Sequence, residues 1–140
     1  FIAEVSENFI VEKTEKKSSE NVHELFMYTG GSWYRLVPRF IPEKDPISSL
    51  DVKILQEYIL GPVLGIEDPR TDKRINFIGG KNSVEEIQKS VDSGSYRVAF
   101  SLCPTKIEQL MSVSDMDGIM PPKSTWFEPK LQSGIVIHLL

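Results

Sequence analysis

Gly30-Gly31 sits between two apolar, aromatic-rich runs in HELFMYTGGSWYRLVP, and that junction constrains the fold more than any other stretch. A glycine pair supplies the positive φ angles of a tight hairpin turn, and the flanking runs are rich in strand-forming residues. A β-hairpin is therefore expected, with arms at about 22–29 and 32–37. Pro38 and Pro42 cannot donate to a ladder, so RFIPEKDPISS is expected to leave the sheet as a surface connector. Upstream, residues 1–8 read as the tail of a helix, Phe9–Thr14 alternates like a strand, and EKTEKKSSEN reads as a solvated loop.

The second half carries helical spacing. Ser48 or Ser49 can cap a helix through LDVKILQEYIL, with Leu50, Ile54, Leu55, Tyr58 and Ile59 on one face and Gly61-Pro62 as its stop. RINFIGG reads as a short strand ending at a second glycine pair. Ser83 and Glu86 have capping-box spacing, Ile87 and Val91 give a buried stripe, and Gly94 closes that helix. SYRVAFSL is a continuous apolar run, the pattern of a central strand. Thr105 and Glu108 repeat the capping-box spacing ahead of a helix with Ile107, Leu110 and Met111 as its stripe, and GIVIHLL closes the chain as a buried strand. The expected architecture is α+β: an amino-terminal hairpin followed by a strand-helix-strand-helix-strand unit, in one mixed sheet with helices packed on it. The whole of 1–140 reads as a single domain.

Composition narrows the function classes. Sixteen Lys and Arg against 20 Asp and Glu leave a net charge of −4, which disfavours nucleic acid as a partner. Cys103 is the only cysteine, so no internal disulfide can form and a reducing, cytoplasmic setting is expected. No apolar run approaches the roughly 20 residues of a membrane helix. The chain begins at Phe1 without a signal-peptide pattern, and reads as a piece cut from a longer protein or trimmed.

The stretch MPPKSTWFEPK, residues 120–130, fits neither helix nor strand. Lys123 and Lys130 offer positive charge, and Ser124 and Thr125 offer hydroxyl donors, so a rigid loop here could hold a phosphate or carboxylate, with Trp126 and Phe127 as its anchors in the core. The plain alternative is a structural connection braced by prolines and aromatics, with solvated lysines. Lys123-Ser124-Thr125 is not a P-loop, because Pro121-Pro122 stand where the glycine-rich run belongs. Asp115-Met-Asp-Gly118 lacks the later ligands of a calcium loop and reads as a turn. His23 and His138, each in an expected strand, have no partner at metal spacing, so no metal site is expected. Cys103 reads as a small buried hydrophobe, and Trp33 and Tyr34 with Phe26 and Tyr28 serve either the sheet or a stacking platform.

YRVAFSLCPTKIEQL together with MPPKSTWFEPKLQSGIVIHLL resembles the carboxy-terminal signature of a bacterial and archaeal family of uncharacterised proteins, the domain-of-unknown-function family 1015. LDVKILQEYILGPVLGI, INFIGG and VDSGSYRVAF resemble its preceding blocks, so the likeness covers about residues 50–140 and the first third only loosely. The resemblance implies a carboxy-terminal portion of a longer protein whose upstream part carries an Asp-Gly-His-His-Arg motif, somewhat like that of ParB-related and serine-kinase-like folds. That motif is absent from these 140 residues, so no catalytic residue carries over, and Lys123, Ser124, Thr125 and Lys130 remain as motif positions.

Two functions follow as expectations. In the first, the loop docks on the upstream portion of the same protein and contributes anion-binding groups, with a phosphorylated small molecule as the ligand class and a phosphotransferase-like activity in the larger protein. In the second, the domain is a non-catalytic scaffold whose hairpin aromatics and sheet edge mediate assembly, including homo-oligomers. Neither reading names a cofactor.

Overall fold

Gly30 and Gly31 take φ of 56° and 72°, the left-handed pair of a two-residue type I′ turn, and the expected hairpin forms around them. The computed structural model describes residues 1–40, 44–80 and 82–125. The hairpin arms are β2 (Leu25–Thr29) and β3 (Ser32–Pro38), with Tyr28 opposite Trp33 and Leu25 opposite Leu36. β1 (Phe9–Thr14) runs antiparallel to β3, following α1 (Ile2–Asn8), as the alternation and the short amino-terminal helix predict. β4 (Val98–Ser101) pairs antiparallel with the other side of β2, giving the order β1-β3-β2-β4.

The fold is α+β, and every strand pairing among the described residues is antiparallel. The parallel neighbours that would make the sheet mixed were expected within the strand-helix-strand-helix-strand unit; of its strands, RINFIGG does not form one and the last lies outside the described residues. β4 was expected to be central; among the described residues it is an edge strand.

Strand alternation sends side chains to two faces, and both are covered. On one face Phe9, Leu25, Met27 and Leu36 pack with Val5 of α1 and with Ile54, Leu55, Ile59 and Leu60. On the other, Phe26, Tyr28 and Trp33 meet Val84, Ile87 and Val91 of α3 (Ser83–Asp92). β2 is buried on both sides, and each fully buried side chain of this size contributes about 2 kcal/mol.

The expected helix at 50–60 divides in two: α2 (Asp51–Leu55), then a π-helical turn over Gln56–Leu60 in which the Gly61 N–H reaches back to the Gln56 carbonyl at 3.0 Å. Pro62 has no N–H to give and would crowd the preceding turn in α geometry, which accounts for the wider turn before it. Gly61-Pro62 does not end the winding. It ends at Gly65, at φ 64°, where the Ile66 N–H bonds the Leu60 carbonyl at 2.7 Å. Neither Ser48 nor Ser49 caps α2; the Asp45 carboxylate instead accepts from the Ile47 and Ser48 amides and shapes the entry turn.

Three further expectations are corrected. Ile75–Ile78 form no strand: the Asn76 side chain accepts from the Phe77 N–H at 2.9 Å, a local bond that competes with ladder pairing. α4 (Ile107–Asp115) starts after Lys106, whose N–H is capped by Gln109 at 3.0 Å, while the Thr105 hydroxyl bonds elsewhere. In the stripe expected on α4, Ile107 and Met111 are 59% and 57% exposed, and Val113 is the residue that is buried.

Candidate functional site

The tip of the motif loop is a tight turn. The Ser124 N–H donates to the Pro121 carbonyl at 3.3 Å, which places Pro122 and Lys123 at the two central positions. Proline suits the first with its fixed φ, and Lys123 takes φ 60° at the second, the left-handed value that a type II turn requires there. A second tie holds the turn to the body of the molecule: the Thr105 hydroxyl donates to the Ser124 carbonyl at 2.6 Å. The loop is thus pinned beside the start of α4, with the Lys123 side chain exposed.

The expected donors separate on inspection of their bonds. The Ser124 hydroxyl donates to the Pro121 carbonyl at 2.6 Å, and a hydroxyl has one proton to give, so Ser124 braces the turn instead of serving an anion. Lys123 and Thr125 are exposed. Lys130, Trp126 and Phe127, expected as a second charge and two anchors, lie outside the described residues.

Lys123, Ser124 and Thr125 form one rim of a groove of about 1430 Å³. Its walls are β4, the segment 66–80, one side of the α2 and π-turn unit from Leu50 to Leu60, and the start of α4. Apolar floor residues include Leu60, Ile66, Ile75, Ile78 and Phe100. Cations ring it unequally. Arg70 and Arg74 are tied to Asp68 and Asp72 at 2.9 and 2.6 Å, and Lys53 to Glu57 at 2.9 Å. Arg97, Lys106 and Lys123 also line the groove and make no ion pair among the described residues.

Two wall residues escaped the sequence reading. Asp51 is only 6% exposed, and one of its carboxylate oxygens accepts the His23 backbone N–H at 2.8 Å. Burial pushes its carboxyl above the usual range, partly opposed by the His23 amide. The sequence signal was an acid in the first turn of a helix, which ordinarily reads as exposed complement to the helix dipole. Gln56 is the other: its amide N–H₂ donates to the Ile66 and Glu67 carbonyls, while its buried oxygen has no partner among the described residues.

His23 lies in the turn before β2 and not in a strand, at φ 63°, with its ring Nε2 2.9 Å from the Ser49 carbonyl. It joins the two halves of the chain. Cys103 is buried; burial first, then the Asp51 charge, pushes its thiol up, so it remains protonated at neutral pH. Asp115–Gly118 is the turn that ends α4, with the Asp117 and Gly118 amides on the Ser114 and Val113 carbonyls. Among the described residues no cluster of His, Cys, Asp and Glu could hold a metal. No helix among them is long and apolar enough to cross a membrane.

The stacking platform is overturned. Phe26 is inaccessible, Tyr28 and Trp33 are 4% and 5% exposed, and their rings stand 5.0 Å apart beneath α3. Comparison with family models, curated proteins and solved structures found no match.

Proposed function

We propose that the 121–125 turn is an anion-binding element for a phosphorylated small molecule, contributed to a larger, phosphotransferase-like protein. The observation that carries this reading is Lys123 at φ 60°. A lysine in the left-handed region costs about 1 kcal/mol that glycine would not, so the position holds a cation where backbone economy alone selects glycine. The same turn is braced from within by the Ser124 hydroxyl and tied to Thr105, and the Lys123 side chain is exposed on a groove rim shared with Arg97 and Lys106. Lys123 acts as a point charge and Thr125 as a hydroxyl donor; Ser124 acts by holding the turn. The resemblance to family 1015 supports reading this element as the carboxy-terminal part of a longer protein, and a single cysteine in the sequence supports a reducing, cytoplasmic setting.

The test is a thermal-shift titration with phosphate, pyrophosphate, ADP and ATP at ionic strength matched with sodium chloride. A ligand at about 100 times its Kd adds about 2.7 kcal/mol to the folded state. The expected result is a saturable rise in Tm that Lys123→Ala abolishes. A flat response in the parent chain, or one that Lys123→Ala leaves intact, would sink the reading.

A second reading, an interaction or oligomerisation domain, no longer rests on the hairpin aromatics, which are buried. Its support is on and after α4, where Ile107, Met111 and Ile119 are 59%, 57% and 87% exposed. Sedimentation at rising concentration checks it: a strictly monomeric chain that Met111→Lys does not alter counts against assembly through this surface.

A further inference from the structure

Thr105 stands at capping-box spacing from Glu108, yet α4 begins after it, with Lys106 at the N-cap and the Gln109 side chain accepting the Lys106 N–H at 3.0 Å. The Thr105 hydroxyl goes elsewhere. It donates to the Ser124 carbonyl at 2.6 Å, in a part-buried position and across 19 residues. The backbone that carries it is well held: Cys103 is buried, Pro104 has a fixed φ, and α4 follows with Val113 in the core.

The three polar groups of Ser124 divide by direction. Its N–H and its hydroxyl both donate to the Pro121 carbonyl, at 3.3 and 2.6 Å, and close the turn upon itself. Its carbonyl, through Thr105, makes the hydrogen bond that joins 121–125 to another part of the described chain. The inner bonds fix the shape of the turn and the outer bond fixes where it sits. Lys123 needs both, because its left-handed φ of 60° persists only while the surroundings over-determine it.

We propose that Thr105 is the positioning residue of the anion-binding turn, its hydroxyl holding 121–125 beside the start of α4 so that Lys123 stays on the groove rim. This rests on the anion-binding reading and adds to it the group that preorganises the site. A turn already held in place loses less freedom when it takes an anion, and so binds more tightly.

Calorimetric titration of the full chain with pyrophosphate, at fixed ionic strength, compares the parent with Thr105→Val, Thr105→Ser and Gln109→Ala. Valine keeps the branched shape and lacks the donor, serine keeps the donor, and Gln109→Ala loosens the start of α4 while leaving the tie to Ser124 in place. The net worth of one hydrogen bond corresponds to about threefold to tenfold in affinity. Thr105→Val is expected to raise the Kd by that factor, while Thr105→Ser and Gln109→Ala stay within about twofold of the parent. If Thr105→Val is not folded at the assay temperature, Thr105→Ala takes its place with the same expectation. A parent that binds pyrophosphate and a valine variant that binds it equally well overturn this inference alone. Equal weakening by Thr105→Val and Gln109→Ala also overturns it, since the effect then comes from loosening α4. A parent that does not bind pyrophosphate overturns the anion-binding reading, and this inference with it.

Discussion

Lys123 occupies a backbone position that glycine would fill without strain, and two opposing effects set the outcome of making that change. Relief of left-handed strain gains about 1–2 kcal/mol, and the extra freedom of glycine in the unfolded chain returns part of it. Lys123→Gly is expected to stabilise the chain by about 0.5–1 kcal/mol, seen as a Tm higher by a few degrees, while losing any response to pyrophosphate. A lower Tm would show that the lysine side chain supports the fold. Asp51 makes a prediction in pH. Its folded-state carboxyl titrates above its unfolded value because ionisation is penalised by burial. The sign follows: the group favours the folded state below its unfolded pKa, and that contribution is lost as pH rises through the folded one. Asp51→Asn keeps an oxygen for the His23 amide and removes the penalty. Its Tm advantage over the parent should therefore grow from acid to neutral pH; a constant or shrinking difference would place the carboxylate in a compensated site. Of these two residues, Lys123 was legible from its neighbours in the motif. Asp51 was not, because an acid at a helix start says nothing of what closes over it.

At the scale of elements, local chemistry was legible where one signal dominated. Gly30-Gly31 dictated the hairpin turn, and Phe9–Thr14 and Val98–Ser101 followed their apolar patterns. Boundaries moved where two signals competed. Thr105 has capping-box spacing, yet its hydroxyl is taken by the Ser124 carbonyl, a partner 19 residues away, and α4 starts after Lys106 instead. Gly118 illustrates a tight junction. It follows α4 with its N–H on the Val113 carbonyl at 2.9 Å, and a Cβ placed there would meet Ile47 Cδ1 and that carbonyl oxygen, each at 3.0 Å. Gly118→Ala is expected to destabilise by about 1–2 kcal/mol, read as a lower urea midpoint at unchanged slope. An unchanged midpoint would mean that the entry turn at Ile47 yields freely.

For the whole molecule, the decisive feature is a sheet covered on both faces, with β2 as its spine and β4 bordering a large groove. The hairpin aromatics show why this was not legible beforehand. Alternation places Phe26, Tyr28 and Trp33 on one face of the sheet, but only the docking of Val84, Ile87 and Val91 makes that face core instead of a binding platform. The same holds for the groove: Asp51, Cys103 and Lys123 are separated widely in sequence and share its lining because α2, β4 and the 121–125 turn converge. By itself the sequence determined the α+β class, the hairpin and its turn, the helix-forming segments and the presence of a proline-braced lysine turn, since each rests on φ preferences or periodicity within a few residues. Tertiary structure alone decided which faces are covered, which carboxylate is buried, which hydroxyls are already bonded and which strand borders the groove, because those depend on contacts between segments that no local preference encodes.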